Sequence, residues 1–346
     1  MKQKPHNYAP VERSTSSGIP PITDQFGRTF NYLRIAVNEY CNLRCIYCMP
    51  EEGIPFRSKN KLLSTDEIFR LITIASQMGV SKIRFTGGEP LLRKDLSKLV
   101  KFANQIPLIQ SVHLTTNGLL LGKYIKDLEQ AGLTGINISL DTLKAERFKM
   151  ITRREGLDTV MDGIEKAIES DIPSVKINIV AMRDFNHDEL VEFAALTQDN
   201  DMTVRFIELM PFDSHQIWKT GKFYRAKHIV ADLKKQIGAM EQVNGSNTEH
   251  YVFRIKGYRG KVAVIPAYSR SLCSACNRIR ITADGKLRNC LYGHEETNLR
   301  DAMRDGDSNE SIEQMIRKSM RKKYKDGWEA QSQGKEHRES MTQIGG

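Results

Sequence analysis

The sequence predicts an α/β fold in which a parallel sheet curls into a full or partial barrel. Between residues 30 and 210, six short apolar runs of strand length alternate with amphipathic helical patterns, as in repeated βαβ units. Several of these strands carry polar residues at every second position. Strands buried on both faces read instead as continuous apolar runs, so one face of this sheet is expected to line a polar cavity.

The elements follow one another in a regular order. Strands are predicted at residues 32–37, 81–85, 111–116, 134–140, 174–181 and 203–209. A capping box at Ser64–Glu67 predicts the start of a helix. Further helices are predicted at 95–104, 120–131, 158–170 and 187–198, and beyond residue 211 at 226–237, 297–304 and 309–323, with two more strands at Tyr251–Ile255 and Lys261–Ile265.

Three segments are expected along the chain. Residues 1–27 are polar and rich in Pro and Ser, and we expect a flexible arm. Residues 28–212 form the barrel, and residues 213–346 form an extension packed on it. No stretch approaches the ~20 apolar residues of a membrane span, and the first 27 residues lack the apolar core of a signal peptide. We therefore expect a cytoplasmic protein, whose thiols stay reduced.

The chain is basic, with a net charge of +10, and 40% hydrophobic residues exclude global disorder. The charge alone is compatible with nucleic-acid binding, with an anionic small substrate or with a solvated surface. Four cations occupy the polar strand positions: Arg34, Arg84, Lys176 and Arg205. If the strands are edge strands, these side chains lie in water. If they line a cavity, their burial requires an anion such as a triphosphate, whereas nucleic acid would meet cations on an open surface.

Three cysteines directly follow the first strand with C-x3-C-x2-C spacing: Cys41, Cys45 and Cys48. Thiolates at this spacing converge on one metal centre, and three of them leave the fourth iron of a cubane open for chemistry. A zinc site completed by a distant residue, or three unrelated buried thiols, are the alternatives. A glycine-rich loop, Thr86–Pro90, follows the second strand, and its two glycines allow a close backbone approach to a ligand.

The other three cysteines form a second set with C-x2-C-x13-C spacing: Cys273, Cys276 and Cys290. A zinc ribbon completed by His294 is one interpretation. The pair Arg278 and Arg280 favours another, because a structural zinc knuckle has no need of two alternating cations beside it. A second open cluster that binds an anionic ligand does.

The first cysteine set together with Gly-Gly-Glu-Pro after the second strand resembles the radical S-adenosylmethionine superfamily. The resemblance implies a partial (β/α)6 TIM-like barrel, a 4Fe–4S cluster on Cys41, Cys45 and Cys48, and S-adenosylmethionine on its open iron. Reductive cleavage of the sulfonium then yields a 5′-deoxyadenosyl radical. With the second cysteine set, Cys276–Arg280 and the terminal Gly-Gly, the chain from Phe26 onward resembles the GTP 3′,8-cyclase family of molybdenum cofactor biosynthesis.

This family resemblance implies roles for individual residues. A second 4Fe–4S cluster is held by Cys273, Cys276 and Cys290, and its open iron meets the guanine base. Contacts to S-adenosylmethionine are implied for Tyr47, Gly88, Ser139 and Met210. Contacts to GTP are implied for Arg34, Arg84, Thr115, Lys176, Arg278 and Arg280, with Lys82 and Arg205 adding charge for the triphosphate. Catalytic support is implied for Arg34, Arg278, Arg280, Gly345 and Gly346. A frayed end is the alternative for the terminal Gly-Gly.

The implied reaction is abstraction of the ribose 3′ hydrogen of GTP, attack of the C3′ radical on guanine C8, and reduction of the resulting radical through the auxiliary cluster. The product, (8S)-3′,8-cyclo-7,8-dihydroguanosine 5′-triphosphate, passes to a cyclic pyranopterin monophosphate synthase. The family also implies a homodimer and an electron donor that the sequence does not identify. We expect neither a nucleic-acid nor a membrane partner. The alternatives are a radical peptide maturase and a zinc-stabilised nucleic-acid-binding protein.

One local departure from the family pattern precedes the first cysteine. Asn38-Glu39-Tyr40 stands where the family more often has Thr-Asp-Arg. The cluster ligands themselves are unaffected, so only local contacts are put in doubt.

Overall fold

The computed structural model describes residues 19–210, 222–245, 251–270, 272–333, 338 and 340–345. Within them twelve strands form one sheet. The strands are β1 (Tyr32–Ala36), β2 (Lys82–Thr86), β3 (Ser111–Thr116), β4 (Gly135–Ser139), β5 (Val175–Ala181), β6 (Thr203–Glu208), β7 (Met240–Val243), β8 (Tyr251–Ile255), β9 (Lys261–Ile265), β10 (Arg278–Ile281), β11 (Lys286–Arg288) and β12 (Thr297–Asn298).

Ten α-helices accompany the sheet in the same described residues. They are α1 (Thr65–Gln77), α2 (Leu96–Gln105), α3 (Leu121–Gln130), α4 (Ala145–Thr152), α5 (Leu157–Glu169), α6 (Leu190–Ala195), α7 (Ala226–Ile237), α8 (Leu299–Arg304), α9 (Asn309–Arg321) and α10 (Gly327–Ser332). Helix α1 begins with the predicted capping box, in which the Ser64 side chain accepts from the Glu67 amide and the Glu67 carboxylate accepts from the Ser64 amide.

The centre of the sheet is parallel. Its order is β12-β11-β10-β1-β2-β3-β4-β5-β6-β9-β8-β7, and the eight strands from β10 to β9 all run in one direction. Antiparallel pairs extend both edges, β11 with β12 on one side and β8 with β7 on the other. Side chains from all eight parallel strands line one cavity, so the open sheet curves around it.

The two faces of the sheet have opposite character. Leu33, Ile83, Val112, Ile136 and Ile177 are fully or almost fully buried and pack in one continuous core. Helices on this outer face contribute the matching apolar side chains, such as Ile68 and Leu71 of α1. The inner positions alternate with them and are polar, which is the pattern predicted from the sequence.

The α/β class predicted from the sequence is confirmed, and the six predicted strands correspond to β1–β6. The C-terminal region was expected to pack on the barrel. It adds strands to both edges of the same sheet instead, because β10 pairs with β1 and β9 pairs with β6. Strands β7 and β10–β12 and helices α4 and α10 were not predicted.

The predicted N-terminal arm, residues 1–27, is described from residue 19 onward, and that part is packed. Ile22 is fully buried, and Thr23 pairs with Thr29 in a short bridge. Arg28 forms an ion pair with Asp24 and donates hydrogen bonds to backbone carbonyls near the C-terminus, including that of Tyr324 at 2.6 Å. None of the described helices is long and apolar enough to cross a membrane.

Candidate active site

A cavity of about 400 Å³ lies inside the curved sheet. This volume falls in the range of small-molecule and cofactor sites. All six cysteines line it. Ten other residues assigned by family resemblance ahead of the tail line it as well: Arg34, Tyr47, Arg84, Gly88, Thr115, Ser139, Arg205, Met210, Arg278 and Arg280.

Together with the six cysteines, sixteen of the eighteen residues that the resemblance assigns ahead of the tail line the cavity. The two others are Lys82 and Lys176, which lie on the same inward face of the sheet but closer to the amino ends of their strands. The structure therefore brings together almost all of the side chains that the sequence assigned to one site.

The first cysteine loop is held against the end of helix α4. The amides of Arg44 and Ile46 donate to the carbonyls of Thr152 and Ile151, each at 2.9 Å. Arg153 has a left-handed backbone (φ 56°) and donates to the Arg44 carbonyl at 2.8 Å. The loop that carries the thiols is thus fixed by a helix that the sequence analysis did not predict.

The environment of the first cysteine set suits a metal centre, which would compensate the negative charge of the thiolates. Burial raises the pKa of the Cys41 thiol to about 11. Burial, with Cys48, Asp141 and Cys41 nearby, also holds the pKa of Cys45 well above its usual value. Three buried thiols that oppose one another's ionisation are stabilised as thiolates when they bind metal, which suits iron–sulfur ligation.

The glycine-rich loop approaches the chain's own backbone. A Cβ on Gly88 would overlap the carbonyl oxygens of Tyr40 and Glu39, and one on Gly87 would overlap that of Asn38. The Glu89 amide donates to the Tyr40 carbonyl at 2.7 Å. These glycines thus allow the loop to pack closely against the backbone of the segment that precedes Cys41, and they also line the cavity.

Cations dominate the wall of the cavity. Seven basic side chains and two carboxylates are among its described lining residues. Both carboxylates already accept hydrogen bonds, Asp141 from the Tyr47 hydroxyl at 2.6 Å and Glu208 from the Ser269 amide at 2.7 Å. Burial and neighbouring cations, Arg280 first among them, hold the pKa of Arg34 well below its ordinary value. The site therefore favours an anionic ligand.

Tyr32 lies among these cations and was not assigned from the sequence. Burial opposes ionisation of its hydroxyl, but Arg84 and Arg34 lead a group of cations that lower its pKa to about 8. The Lys82 ammonium lies 5.3 Å from the centre of its ring. Tyr32 stands two residues before Arg34 in β1, so the alternation that identified Arg34 could have identified it too.

The second cysteine set lines the cavity at the opposite end from the first set. Cys41 follows the carboxyl end of β1, whereas Cys276 precedes the amino end of the neighbouring parallel strand β10. Burial opposes ionisation of Cys276, but Lys323 and Arg278 more than offset it and lower the pKa of this thiol. Arg28 donates to the Cys273 carbonyl at 2.9 Å. Cationic surroundings of this kind stabilise thiolate ligands.

A zinc ion would need a fourth protein ligand beside each set of three cysteines. Across the described residues, no three Cys, His, Asp or Glu side chains are placed to hold a single metal ion. His294 does not line the cavity with the three cysteines. A cubane places each thiolate on a different iron, so its ligands stand further apart than those of one zinc ion.

The residues assigned to S-adenosylmethionine meet at the carboxyl ends of the strands. Tyr47 donates to Asp141, two residues beyond Ser139 at the end of β4. The Tyr292 hydroxyl lies 3.2 Å from the Met210 sulfur, just after β6. Burial raises the pKa of Asp141 to about 6, against the hydrogen bonds from Tyr47 and Val180.

The described part of the C-terminal tail reaches the same end of the sheet. Met341 and Thr342 line the cavity, and the Ser340 hydroxyl donates to the Cys48 carbonyl at 2.8 Å. Gly345 has a positive φ of 78°, and a Cβ there would lie 3.1 Å from that of Ala36. Gly346 lies outside the described residues.

Comparisons with known proteins match both halves of the chain. The radical SAM superfamily matches residues 35–197, and a family described as Molybdenum Cofactor Synthesis C matches residues 202–328. The GTP 3′,8-cyclase of Chlorobaculum tepidum is 44% identical over 326 residues, which cover 94% of this chain and 97% of that protein. Molybdenum cofactor biosynthesis protein 1 of Bos taurus is 46% identical over 85% of this chain, which spans 47% of that protein.

A solved structure shares the fold. Streptococcus suis SuiB bound to S-adenosylmethionine aligns over 83% of this chain and 68% of that chain, with a TM-score of 0.55 and 16% sequence identity. At this identity the likeness concerns the fold alone. Given 44% identity over nearly the whole of both chains, the protein belongs to the GTP 3′,8-cyclase family of the radical S-adenosylmethionine superfamily.

Proposed function

We propose that the protein converts GTP to (8S)-3′,8-cyclo-7,8-dihydroguanosine 5′-triphosphate, the first step of molybdenum cofactor biosynthesis. The observation that carries the proposal is the single cavity that both cysteine sets and an excess of cations line together. A radical generated at one end of such a cavity meets a polyanionic substrate bound beside it.

The first three cysteines are proposed to hold a 4Fe–4S cluster, and Cys273, Cys276 and Cys290 a second one. With S-adenosylmethionine, the first cluster supplies the 5′-deoxyadenosyl radical that removes the ribose 3′ hydrogen of GTP. We assign contacts to S-adenosylmethionine to four residues of the lining: Tyr47, Gly88, Ser139 and Met210.

The triphosphate is assigned to the cations of the inward face. Arg84 and Arg205 line the cavity, while Lys82 and Lys176 lie on the same face nearer the amino ends of the strands. Arg34, Arg278 and Arg280 lie between this group and the second cysteine set, and we assign to them the orientation of the base and ribose. Gly345, and Gly346 beyond the described residues, are assigned to the closure of the site.

Anaerobic assay of reconstituted protein tests this function. With dithionite and S-adenosylmethionine, GTP is expected to stimulate release of 5′-deoxyadenosine and to yield a product with the mass of cyclised GTP. Deoxyadenosine release that is indifferent to GTP would retain the radical chemistry and reject GTP as substrate. Absence of deoxyadenosine from protein that carries both clusters would reject the radical assignment.

Cysteine variants separate the two sets. Cys45→Ala is expected to abolish deoxyadenosine, because the radical is generated at the first set. Cys276→Ala is expected to abolish the cyclised product while some deoxyadenosine is still released. Equal loss of both products in the two variants, with the first cluster intact in Cys276→Ala, would contradict this division.

A further inference from the structure

Arg270 lines the cavity three residues before the second cysteine set. Its side chain is 5% exposed, and its guanidinium lies between two rings, 3.9 Å from the centre of Tyr292 and 3.9 Å from that of Trp328. One nitrogen, Nη2, donates to Gln331. Within the described residues, Nε and Nη1 are buried and have no hydrogen-bond partner.

This placement has a cost that packing alone does not explain. A buried donor left without an acceptor is destabilising, and more so on a charged group. Two aromatic faces attract the cation but do not accept its in-plane N–H groups. Arg270 also has a left-handed backbone (φ 53°), which side chains other than glycine adopt rarely. Such features concentrate where a ligand completes the site.

The second cysteine set lines the same cavity as Arg270 and begins three residues after it. The Cys273 amide donates to the Arg270 carbonyl at 3.1 Å. Arg270 therefore begins the turn that leads to Cys273 and also supplies the buried guanidinium. Arg270 also forms a side-chain hydrogen bond with Tyr292, and the charges of Cys273 and Cys290 act on the same hydroxyl. The guanidinium of Arg270 and the sulfur atoms of Cys273 and Cys290 therefore lie around the same tyrosine.

We propose that Arg270 is a positioning residue for the second iron–sulfur cluster. Its Nε and Nη1 nitrogens donate to sulfur atoms of that cluster, and its charge stabilises the cluster in the reduced state. The inference rests on the proposed function, because it needs a cluster on Cys273, Cys276 and Cys290. Hydrogen bonds to sulfur and local charge are two of the factors that set the potential of such clusters.

A redox titration of the reconstituted full chain, followed by electron paramagnetic resonance, tests the proposal. Arg270→Gln removes the charge and is expected to lower the ratio of reduced to oxidised second cluster about tenfold at a given potential, a shift of ~59 mV for one electron. The first cluster is expected to keep its potential. Arg270→Lys keeps the charge without the planar donors and is expected to fall between the two.

Arg225→Gln is the matched control. Arg225 is exposed and stacks 4.8 Å from the ring centre of Tyr268, which in turn contacts Trp328 at 5.5 Å. It belongs to the same aromatic group without lining the cavity, so both potentials are expected to match those of the unaltered protein.

The outcomes are distinguishable. An unchanged second-cluster potential in Arg270→Gln overturns the role of Arg270 and leaves the proposed function standing. Selective loss of iron from the second cluster in Arg270→Gln, with both clusters retained in Arg225→Gln, supports the role of Arg270. Where Arg270→Gln yields no folded protein, Arg270→Lys decides, and a potential equal to that of the unaltered protein overturns the proposal. Unaltered protein that loads iron at the first set alone overturns the second cluster and this inference together.

Discussion

His113 lies on the inward face of the sheet, opposite Arg84 in β2 and Gly135 in β4. It is 8% exposed, and burial together with nearby cations lowers its pKa to about 2. The cations, in order of effect, are Arg84, Lys82, Lys176 and Arg205. The imidazole is therefore neutral in the folded protein, whereas in the unfolded chain it takes up a proton below pH 6.5.

The sign of the resulting pH dependence follows from this difference. The unfolded state binds the extra proton, so the free energy of unfolding falls as the pH falls below 6.5, by about 0.8 kcal/mol between pH 8 and pH 6. His113→Gln is expected to remove that increment. Denaturant unfolding of both proteins at the two pH values measures it, and an equal pH dependence in the variant would contradict the neutral state of His113.

Alternation along the strands predicts inward-facing residues one at a time, and it correctly selected Arg34, Arg84 and Arg205. Arg270 was not identified in this way because it lies in an irregular loop, where spacing along the sequence does not indicate which way a side chain points. Its importance depends on Tyr292 and Trp328, which are distant in sequence and meet it only in the folded chain.

At the scale of elements, strands β3 and β4 are fitted to each other at one position. His113 and Gly135 are paired in register, and a Cβ on Gly135 would overlap the imidazole ring. The absent side chain of Gly135 thus provides the space that His113 occupies. This fit explains why a glycine, which ordinarily weakens a strand, stands at the start of β4.

A double-mutant cycle measures that fit. Gly135→Ala alone is expected to destabilise the protein by about 2 kcal/mol or more, because the ring has to move within a packed interior. In a His113→Ser background the same change is expected to cost less than about 1 kcal/mol, since the space is then free. Equal costs in the two backgrounds would show that the ring is not the obstacle.

The sequence predicted β1–β6 well because each strand is a strong apolar run between helices. Strands β10–β12 have between two and four residues each and depend on their neighbours in the sheet. The partner of β10 is β1, which lies far away along the chain. Local patterns do not contain such a pairing, so none of these three strands was predicted.

At the scale of the whole molecule, Arg338 ties the C-terminal tail to the barrel. Its guanidinium contacts both carboxylate oxygens of Glu296, at 2.7 and 2.6 Å, and Asp284 at 3.2 Å. It also donates to the Gln343 carbonyl at 3.2 Å. Bidentate pairs of this kind fix geometry as well as adding energy, so Arg338 sets where the following residues lie.

Removal of this anchor is expected to loosen the tail. In Arg338→Gln, amide hydrogen exchange at residues 340–345 is expected to rise about tenfold or more, because local opening no longer breaks the ion pairs. Lys149→Gln serves as the control, since Lys149 pairs with Glu155 on the exposed surface. Exchange that is unchanged in Arg338→Gln would mean that the contacts of Ser340 and Gly345 suffice to hold the tail.

The pairing of β1 with β10 has a consequence for the nascent chain. Strand β1 ends at Ala36, and β10 begins at Arg278. At typical synthesis rates the ribosome needs roughly ten to fifty seconds to cover that interval. During this time the edge of β1 that later pairs with β10 is open to pairing with other chains. The first cysteine loop emerges early in the same interval, so its thiols are exposed before the last strands join the sheet.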